Sequence, residues 1–465
     1  MSKKKATWGL APFFLAPLLI FAARETRSSD AAAEVAAKVK VYIKPYLDMK
    51  AFSGSILIAK KGKVILKEGY GLANYELSVP NTPQTKFHIA SISKVFTAAA
   101  ILMLEEKGLL AVDDPLTKYV PDYPGGEKIT LHHLLVHTSG IPNINNFPEY
   151  GNWSRFPQTP ASLIEKFKDR PLNFPPGTRY DYSNSNYNVL AAVIENISGR
   201  SYGEFLKENI FDPLGMQDTA HDGNPAVLIE NVASGYAPAG VDGFEKAPYL
   251  DWTVKTGNGS ITSTVEDLFK WDRALYADEI LSSASRTKAF TPYVDDSVGY
   301  GWFISRRHNR RCIRMNGRSP GFQGEIHRYV DDGTCIVVLS NNYSGAASFM
   351  IDDIAAIAFG EPYEPLTVNK DLEIDAKVLA SYLGAFQGGA DFFVPNASLT
   401  LENREGRLAL RWSMGGLSWL VPVSSSRFYD RTFGGLVTFG KDEGEVSHLT
   451  YRSSGRDYRA NKKKM

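Results

Sequence analysis

Residues 87–99, FHIASISKVFTAA, join a strand-like segment to a long apolar helix through a polar turn. In this turn Ser91 and Lys94 have the i, i+3 spacing that places two side chains on one face of a helix. Burial would lower the pKa of Lys94, and an uncharged amine can accept the proton of a serine hydroxyl. The helix N-terminus adds unpaired N–H groups where negative charge develops during acyl transfer. Taken alone, Ser-x-x-Lys is more typical of a capped helix start with a surface lysine.

A second polar segment, FPPGTRYDYSNSNY, covers residues 174–187 and begins with a Pro-Gly turn. A lysine ammonium beside Tyr182 would lower its pKa, so that the phenol could carry a proton between Ser91 and a leaving group. Asn184 could orient the Lys94 amine and a substrate amide. The alternative for this segment is an aromatic-rich turn that packs against a helical lobe. The two segments together indicate a catalytic site more strongly than either one alone.

Several further motifs accompany these two segments along the chain. They are GYGLAN (69–74), DDPLTKYVP (113–121), ITLHHLLVHTSGIP (129–142), GNGSITSTVEDL (257–268), NGRSPGF (316–322) and CIVVLSNN (335–342). With these motifs the chain resembles the family of class C β-lactamases and penicillin-binding proteins, which includes D,D-peptidases, D-aminopeptidases and carboxylesterases. The resemblance covers residues 51–358.

The resemblance implies an α+β fold, in which an antiparallel sheet is flanked by helices and joined to a helical lobe. It also implies hydrolysis through an acyl-enzyme. Carried over residue by residue, it makes Ser91 the nucleophile and Lys94 its base partner, and it makes Tyr182 with Asn184 the second motif.

The third motif departs from the family pattern. Where the family has Lys-Thr-Gly or His-x-Gly on an edge strand, this chain has Met315, Asn316 and Gly317. Methionine carries no charge, so the group that contacts a substrate carboxylate in the family is missing here. Gly317 and the backbone N–H of Arg318, the expected second oxyanion donor beside the N–H of Ser91, are retained. Carboxylate-bearing substrates, and activity itself, are therefore in question.

Two other sources of charge near the site are considered. Arg314 precedes Met315 but points to the opposite face of a regular strand. A literal Lys-Thr-Gly occurs at residues 255–257, ahead of a capped helix, and we expect it in a loop away from the sheet edge. The alternative is that Lys255 reaches the site and replaces the missing charge.

Composition excludes several classes of protein. The chain has 465 residues, a net charge of +1 and 43% apolar residues, which predicts two or three folded domains and no nucleic-acid partner. Two cysteines, Cys312 and Cys335, exclude a disulfide scaffold, and the pair could form one disulfide or remain two buried thiols. His132, His133 and His137 lack a nearby carboxylate, so no metal and no cofactor are predicted.

Four segments are expected along the chain. Residues 1–23 carry lysines followed by an apolar run and resemble a cleaved export signal, with an uncleaved membrane anchor as the alternative. Residues 31–362 form the hydrolase domain, and residues 363–375 form a linker. In residues 376–461, short alternating runs predict a small antiparallel β-barrel, and this tail resembles a lipocalin-like domain.

These observations predict an exported serine hydrolase, periplasmic or extracellular, that cleaves an ester or an amide of D-amino-acid peptide type through a Ser91 acyl-enzyme. Its partner is a small-molecule or peptide substrate, and its oligomeric state is left open. The alternative is a catalytically impaired protein that retains the fold and binds a cell-wall peptide or another ligand. The uncharged Met315 motivates this alternative.

Overall fold

The structure is a computed structural model that describes residues 16–368, 372–392, 394–413, 415–453 and 455–463. Residues 1–15, which form most of the expected export signal or anchor, lie outside the described residues. Within the described ranges, none of the helices combines the length and the apolar character that crossing a bilayer requires.

The helices divide into a long N-terminal helix, a central group that forms a lobe beside the sheet, and two helices towards the C-terminus. They are α1 (Ala16–Asp48), α2 (Lys94–Glu106), α3 (Leu131–Leu135), α4 (Tyr150–Trp153), α5 (Pro160–Ile164), α6 (Asn184–Ser198), α7 (Tyr202–Leu206), α8 (Val265–Ala274), α9 (Ser283–Ala289), α10 (Ala346–Phe359) and α11 (Ala376–Tyr382).

The strands before residue 341 form one large sheet and several small ones. They are β1 (Gly54–Lys60), β2 (Lys63–Tyr70), β3 (Leu72–Asn74), β4 (Val79–Pro80), β5 (Phe87–His88), β6 (Ala220–His221), β7 (Tyr236–Ala239), β8 (Gly243–Lys246), β9 (Ile261–Ser263), β10 (Phe303–Arg307), β11 (Arg310–Ser319), β12 (Phe322–Tyr329) and β13 (Thr334–Ser340). The large sheet has the order β10-β11-β12-β13-β1-β2 and is antiparallel throughout.

Both faces of the large sheet are covered. Every residue of β12 and β13 is buried, which requires apolar material above and below them. The lobe, with α2, α6 and α8, supplies the core on one face. Helices α1 and α10 cover the other face. Because β1 pairs with β13, the sheet is complete only after more than half of the chain has been synthesised.

The C-terminal strands form a closed antiparallel barrel in sequence order. They are β14 (Gly384–Gly388), β15 (Ser398–Arg404), β16 (Arg407–Trp412), β17 (Leu417–Pro422), β18 (Arg427–Asp430), β19 (Gly435–Asp442), β20 (Glu445–Ser453) and β21 (Arg456–Lys462). Alternate side chains fill the interior, for example the fully buried Leu399, Leu410 and Leu449. The α+β fold class with a small barrel after it is therefore confirmed.

The two cysteines are buried and unpaired. Cys312 joins the core beneath α1 and α10, whereas Cys335 joins the core on the lobe side of the sheet. Of the two alternatives left open from the sequence, the structure has two separate buried thiols.

Candidate active site

Ser91 lies in a short 3-10 helix that leads directly into α2, and its side chain remains partly exposed. The preceding residue, Ala90, has φ of +48°, a left-handed conformation that costs an alanine about 1 kcal/mol or more. Hydrogen bonds hold the turn in this shape. Ile89 N–H donates to the Ile261 carbonyl at 2.9 Å, and Ile261 N–H donates to Ser93 Oγ at 3.1 Å. The nucleophile candidate is thus held in place by strand β9.

Lys94 is fully buried, and three oxygen atoms surround its amine. Nζ donates to Asn184 Oδ1 at 2.8 Å and to the Asn258 carbonyl at 2.7 Å, and it lies 3.1 Å from Ser91 Oγ. Burial lowers the pKa of Lys94 well below its usual range, and neighbouring Lys255 lowers it further. An uncharged amine has two N–H groups, and the two carbonyl oxygens use both. Its lone pair is then available to the serine hydroxyl.

Tyr182 touches the same hydroxyl from another side. Its phenol donates to Ser91 Oγ at 2.9 Å. Burial raises the pKa of Tyr182, and the hydrogen bond to Ser91 offsets this only in part. The expectation of a lowered pKa was wrong, because burial has the largest effect on this phenol and it raises the pKa. Tyr182 is therefore a protonated donor at neutral pH.

The ring of His137 packs against the ring of Tyr182. The two rings lie 4.3 Å apart between centroids, and His137 Nδ1 accepts from the backbone N–H of Ser183 at 3.3 Å. Burial, with a contribution from Lys94, lowers the pKa of His137 to about 3, so that its ring is neutral. The sequence predicted no metal at His137 and did not indicate its contact with Tyr182 of the second motif.

Two asparagines position Asn184, and the sequence analysis missed both of them. Asn143 Oδ1 accepts from the backbone N–H of Asn184 at 3.3 Å, and Asn145 Oδ1 accepts from Asn184 Nδ2 at 2.8 Å. The signal was the segment PNINN, which follows the motif HTSGIP with polar amides two residues apart. These contacts fix the amide so that its oxygen faces Lys94.

The third-motif strand, β11, runs close to the nucleophile turn. A Cβ atom on Gly317 would lie 2.1 Å from the Ile89 carbonyl oxygen and 3.0 Å from Ser91 N, so only glycine fits there. Met315 is 3% exposed and belongs to the core on the lobe side, which leaves it little surface for contact with a substrate. The guanidinium of Arg318 lies over the rings of Tyr343 and Phe433 and donates to the Thr432 carbonyl of the barrel.

Lys255 lies closer to the site than the sequence analysis expected. It is 9% exposed, and its Nζ lies 5.5 Å from the centroid of the Tyr150 ring. Its carbonyl accepts from the N–H groups of Asn258 and Gly259, in the same turn that holds the Lys94 amine. Burial lowers the pKa of Lys255 to about 8. The Lys-Thr-Gly tripeptide is off the sheet edge, as expected, but its lysine influences the charge of Lys94.

The remaining histidines of the lobe have structural contacts. His132 Nδ1 lies 2.7 Å from the Tyr300 hydroxyl, and His133 caps the start of α3 with Thr130. Among the residues that the structure describes, no three His, Cys, Asp or Glu side chains are grouped so that they could hold a metal ion. The chemistry that this site can perform is that of a serine, an amine and a phenol.

Comparison with known proteins gives consistent matches. The family model described as Beta-lactamase matches residues 39–360. The chain is 30% identical to Penicillin-binding protein 4* of Bacillus subtilis (strain 168) over 437 residues, which cover 88% of this chain and 94% of that protein. It is 29% identical to Teichoic acid D-alanine hydrolase of Staphylococcus aureus over 319 residues, 65% of this chain and 73% of that protein.

A solved structure extends the match into the barrel region. The octameric penicillin-binding protein homologue from Pyrococcus abyssi is 25% identical and has a TM-score of 0.65. The match covers 92% of this chain and 99% of that chain.

Proposed function

The chain belongs to the Beta-lactamase family of serine hydrolases, and we propose that it cleaves an ester or an amide bond of D-amino-acid peptide type through an acyl-enzyme on Ser91. One observation carries the proposal. The partly exposed Ser91 Oγ lies 3.1 Å from a buried amine whose pKa is well below its usual range, and it accepts a hydrogen bond from a phenol at 2.9 Å.

The proton movements follow from these contacts. Ser91 gives its proton to the lone pair of Lys94 as Oγ attacks the substrate carbonyl. Tyr182 gives its proton to the leaving group, which leaves a phenolate and an ammonium in the acyl-enzyme. Water then attacks the ester and gives a proton to the Tyr182 phenolate, and Ser91 takes back the proton from Lys94. The sum is one water consumed per bond cleaved.

The negative charge that develops on the substrate carbonyl oxygen during acyl transfer must be stabilised by hydrogen-bond donors. The backbone N–H of Ser91, in the 3-10 helix before α2, and that of Arg318 on β11 are the proposed pair. The close approach of Gly317 to Ser91 N brings this strand to the nucleophile, which supports the assignment.

The substrate class rests on the relatives and on the third motif. One relative is named as a hydrolase of teichoic acid D-alanine, and another is named as a penicillin-binding protein. The uncharged, buried Met315 removes the carboxylate anchor of the family's third motif. An ester or a D-amino-acid peptide is therefore favoured over a β-lactam antibiotic. Rates on p-nitrophenyl esters, D-alanyl peptides and nitrocefin would rank these classes.

Covalent labelling tests the proposal. A fluorophosphonate or a fluorescent penicillin should label the wild-type protein, and Ser91→Ala should abolish the label. Ser283→Ala is the control, because this exposed serine of α9 is not one of the residues that form or hold the site and should leave labelling intact. If labelling is absent or does not depend on Ser91, the binding-protein alternative is favoured instead.

We also propose that the protein is exported, with residues 1–23 as the signal or anchor and residues 31–362 as the hydrolase domain. Residues 363–375 would then link this domain to the barrel domain at residues 376–461. The end of α10 at Phe359 and the start of α11 at Ala376 support this division. Mass spectrometry of the N-terminus of the secreted protein would test the signal, because cleavage removes about 23 residues.

A further inference from the structure

Lys255 is a buried cation for which the described part of the chain provides no anion. It is 9% exposed, and no hydrogen bond or ion pair to its Nζ is present among the described residues. Burial alone accounts for its lowered pKa, with no carboxylate opposing it. A buried ammonium without an anion is costly, because the charge loses contact with water and gains no partner in exchange.

Lys255 lies close to the turn that carries the nucleophile Ser91. A Cβ on Gly259 would contact Ala90 at 3.5 Å and the Cβ of Lys255 at 3.6 Å, so one glycine separates the lysine from the nucleophile turn. The neighbouring Asn258 carbonyl holds the amine of Lys94. Lys255 is therefore beside the catalytic groups and not on a remote surface.

Lys255 lies on the wall of the site that is formed by Tyr150 and Asn145. Its amine lies over the Tyr150 ring, and the Tyr150 side chain lies beside Asn145. Asn145 in turn holds Asn184. This wall differs from β11, which carries Met315 and approaches Ser91 through Gly317. Because Tyr182 serves the leaving group, the wall with Asn145 and Tyr150 remains for the acyl part of the substrate.

From this geometry we infer that Lys255 binds a carboxylate carried by the acyl part of the substrate. The inference rests on the proposed acyl transfer at Ser91. One ammonium matches one carboxylate in charge, and its flexible stem offers a point charge without the planar fork that an arginine would provide. The protein thus replaces the cation missing at Met315 with a cation on another wall, which changes the part of the substrate that must be anionic.

Two esters of equal length test the inference. They are the p-nitrophenyl esters of N-glutaryl-D-alanine, which carries a terminal carboxylate, and of N-pentanoyl-D-alanine, which does not. The wild-type protein should prefer the glutaryl ester in kcat/KM by about tenfold to a hundredfold, the range for a hydrogen bond to a charged group. The preference should lie mainly in KM.

Substitutions of single lysines test whether Lys255 causes the preference for the glutaryl ester. Lys255→Met should reduce the ratio of the two kcat/KM values to about one, and Lys255→Arg should retain most of it. Lys246→Met, which removes an exposed lysine paired with Glu76, is the matched control and should leave the ratio unchanged. Because both esters use the same Lys94, any change in its protonation cancels in the ratio.

The pH gives an independent readout. The pKa of Lys255 is about 8, so the preference for the glutaryl ester should fall as pH rises from 7 to 9. A wild-type ratio near one, or a ratio that survives Lys255→Met, would overturn the inference while leaving the proposed function intact. Hydrolysis of neither ester, or hydrolysis that survives Ser91→Ala, would instead overturn the proposed function and the inference with it.

Discussion

Individual residues in this site are restricted by backbone contacts as much as by side-chain chemistry. Ala90 is held at φ +48° directly before Ser91, and strand β9 on one side and β11 on the other enclose that turn. Such strain persists only where the surrounding structure enforces it, and it fixes the direction of the serine hydroxyl. The backbone of β11 can approach this turn because Gly317 has no side chain.

Gly317→Ala should lower kcat by about a hundredfold to a thousandfold with little effect on KM, because the added methyl displaces β11 and its proposed oxyanion donor. The clash is with the backbone, 2.1 Å from the Ile89 oxygen, and cannot be relieved by a rotamer change. Gly324→Ala at its register partner is the control, since a methyl there would be close only to the side-chain ends of Leu339 and Ile92, at 2.9 and 3.0 Å, with the nearest backbone atom at 3.8 Å. Steady-state kinetics on one ester suffices, and equal rates for the two variants would contradict the role given to β11.

Tyr182→Phe should affect substrates according to their leaving groups. The variant loses the protonated donor, so hydrolysis of an alkyl ester or an amide should fall by about a hundredfold or more. A p-nitrophenyl ester should lose much less, since its leaving group departs without a proton. Equal losses on both substrates would show that Tyr182 acts on Ser91 itself.

Between elements, the face of the sheet beneath α10 contains a buried polar cluster. His327 on β12 lies 3.3 Å from Glu325 and within 3.5 Å of the Tyr329 hydroxyl, and Asp352 of α10 also interacts with it. Burial opposes the charged form of His327, yet Cys312 and Glu325 outweigh burial and raise its pKa to about 9. The charged histidine thus helps to join the sheet to the helix.

The stability of the protein should therefore fall as the medium becomes alkaline. The pKa of His327 is raised on folding, so its contribution is fully present below about pH 6.5 and is lost as pH rises through about 9. We expect a loss of about 3 kcal/mol in the free energy of unfolding over this range. Urea unfolding at pH 6 and pH 9.5 measures it, and His327→Gln should remove most of the difference. A difference of the same size in the variant would refute the assignment.

At the scale of the whole molecule, one barrel loop holds the barrel against the hydrolase part. Arg431, fully buried after β18, donates to the carbonyl oxygens of Lys50, Ala239, Gly240 and Gly243 at 2.7–3.3 Å. A Cβ on Gly345, before α10, would meet the Phe433 oxygen at 1.6 Å. The two parts therefore meet through backbone contacts that tolerate little displacement.

Arg431→Met should weaken this contact by about 3 kcal/mol, because buried carbonyl groups lose charged donors. Differential scanning calorimetry should show a lower melting temperature and a separate transition for the barrel. The matched control is Arg427→Met in β18, whose exposed pair with Glu364 should be worth less than about 1 kcal/mol. Equal effects of the two substitutions would mean that the buried loop does not carry the contact.

The order of the motifs predicted the family and, through the resemblance, the α+β fold, and the alternating runs in residues 376–461 predicted the barrel after it, since each of these patterns is local. It also indicated that Ser91, Lys94, Tyr182 and Asn184 meet, and the structure brings them within hydrogen-bond distance of one another. The contact between Ser91 and Lys94 lies within one local turn. The contacts with Asn184 and Tyr182 join segments 90 and 91 residues apart, and only the resemblance to the family indicated them.

Only the tertiary structure decided the charges and the neighbours of these groups. The raised pKa of Tyr182, the cation at Lys255 and the contact between Arg318 and the barrel depend on segments far apart in the chain. Burial and electrostatic interaction depend on distance in space, and spacing along the sequence contains no such information.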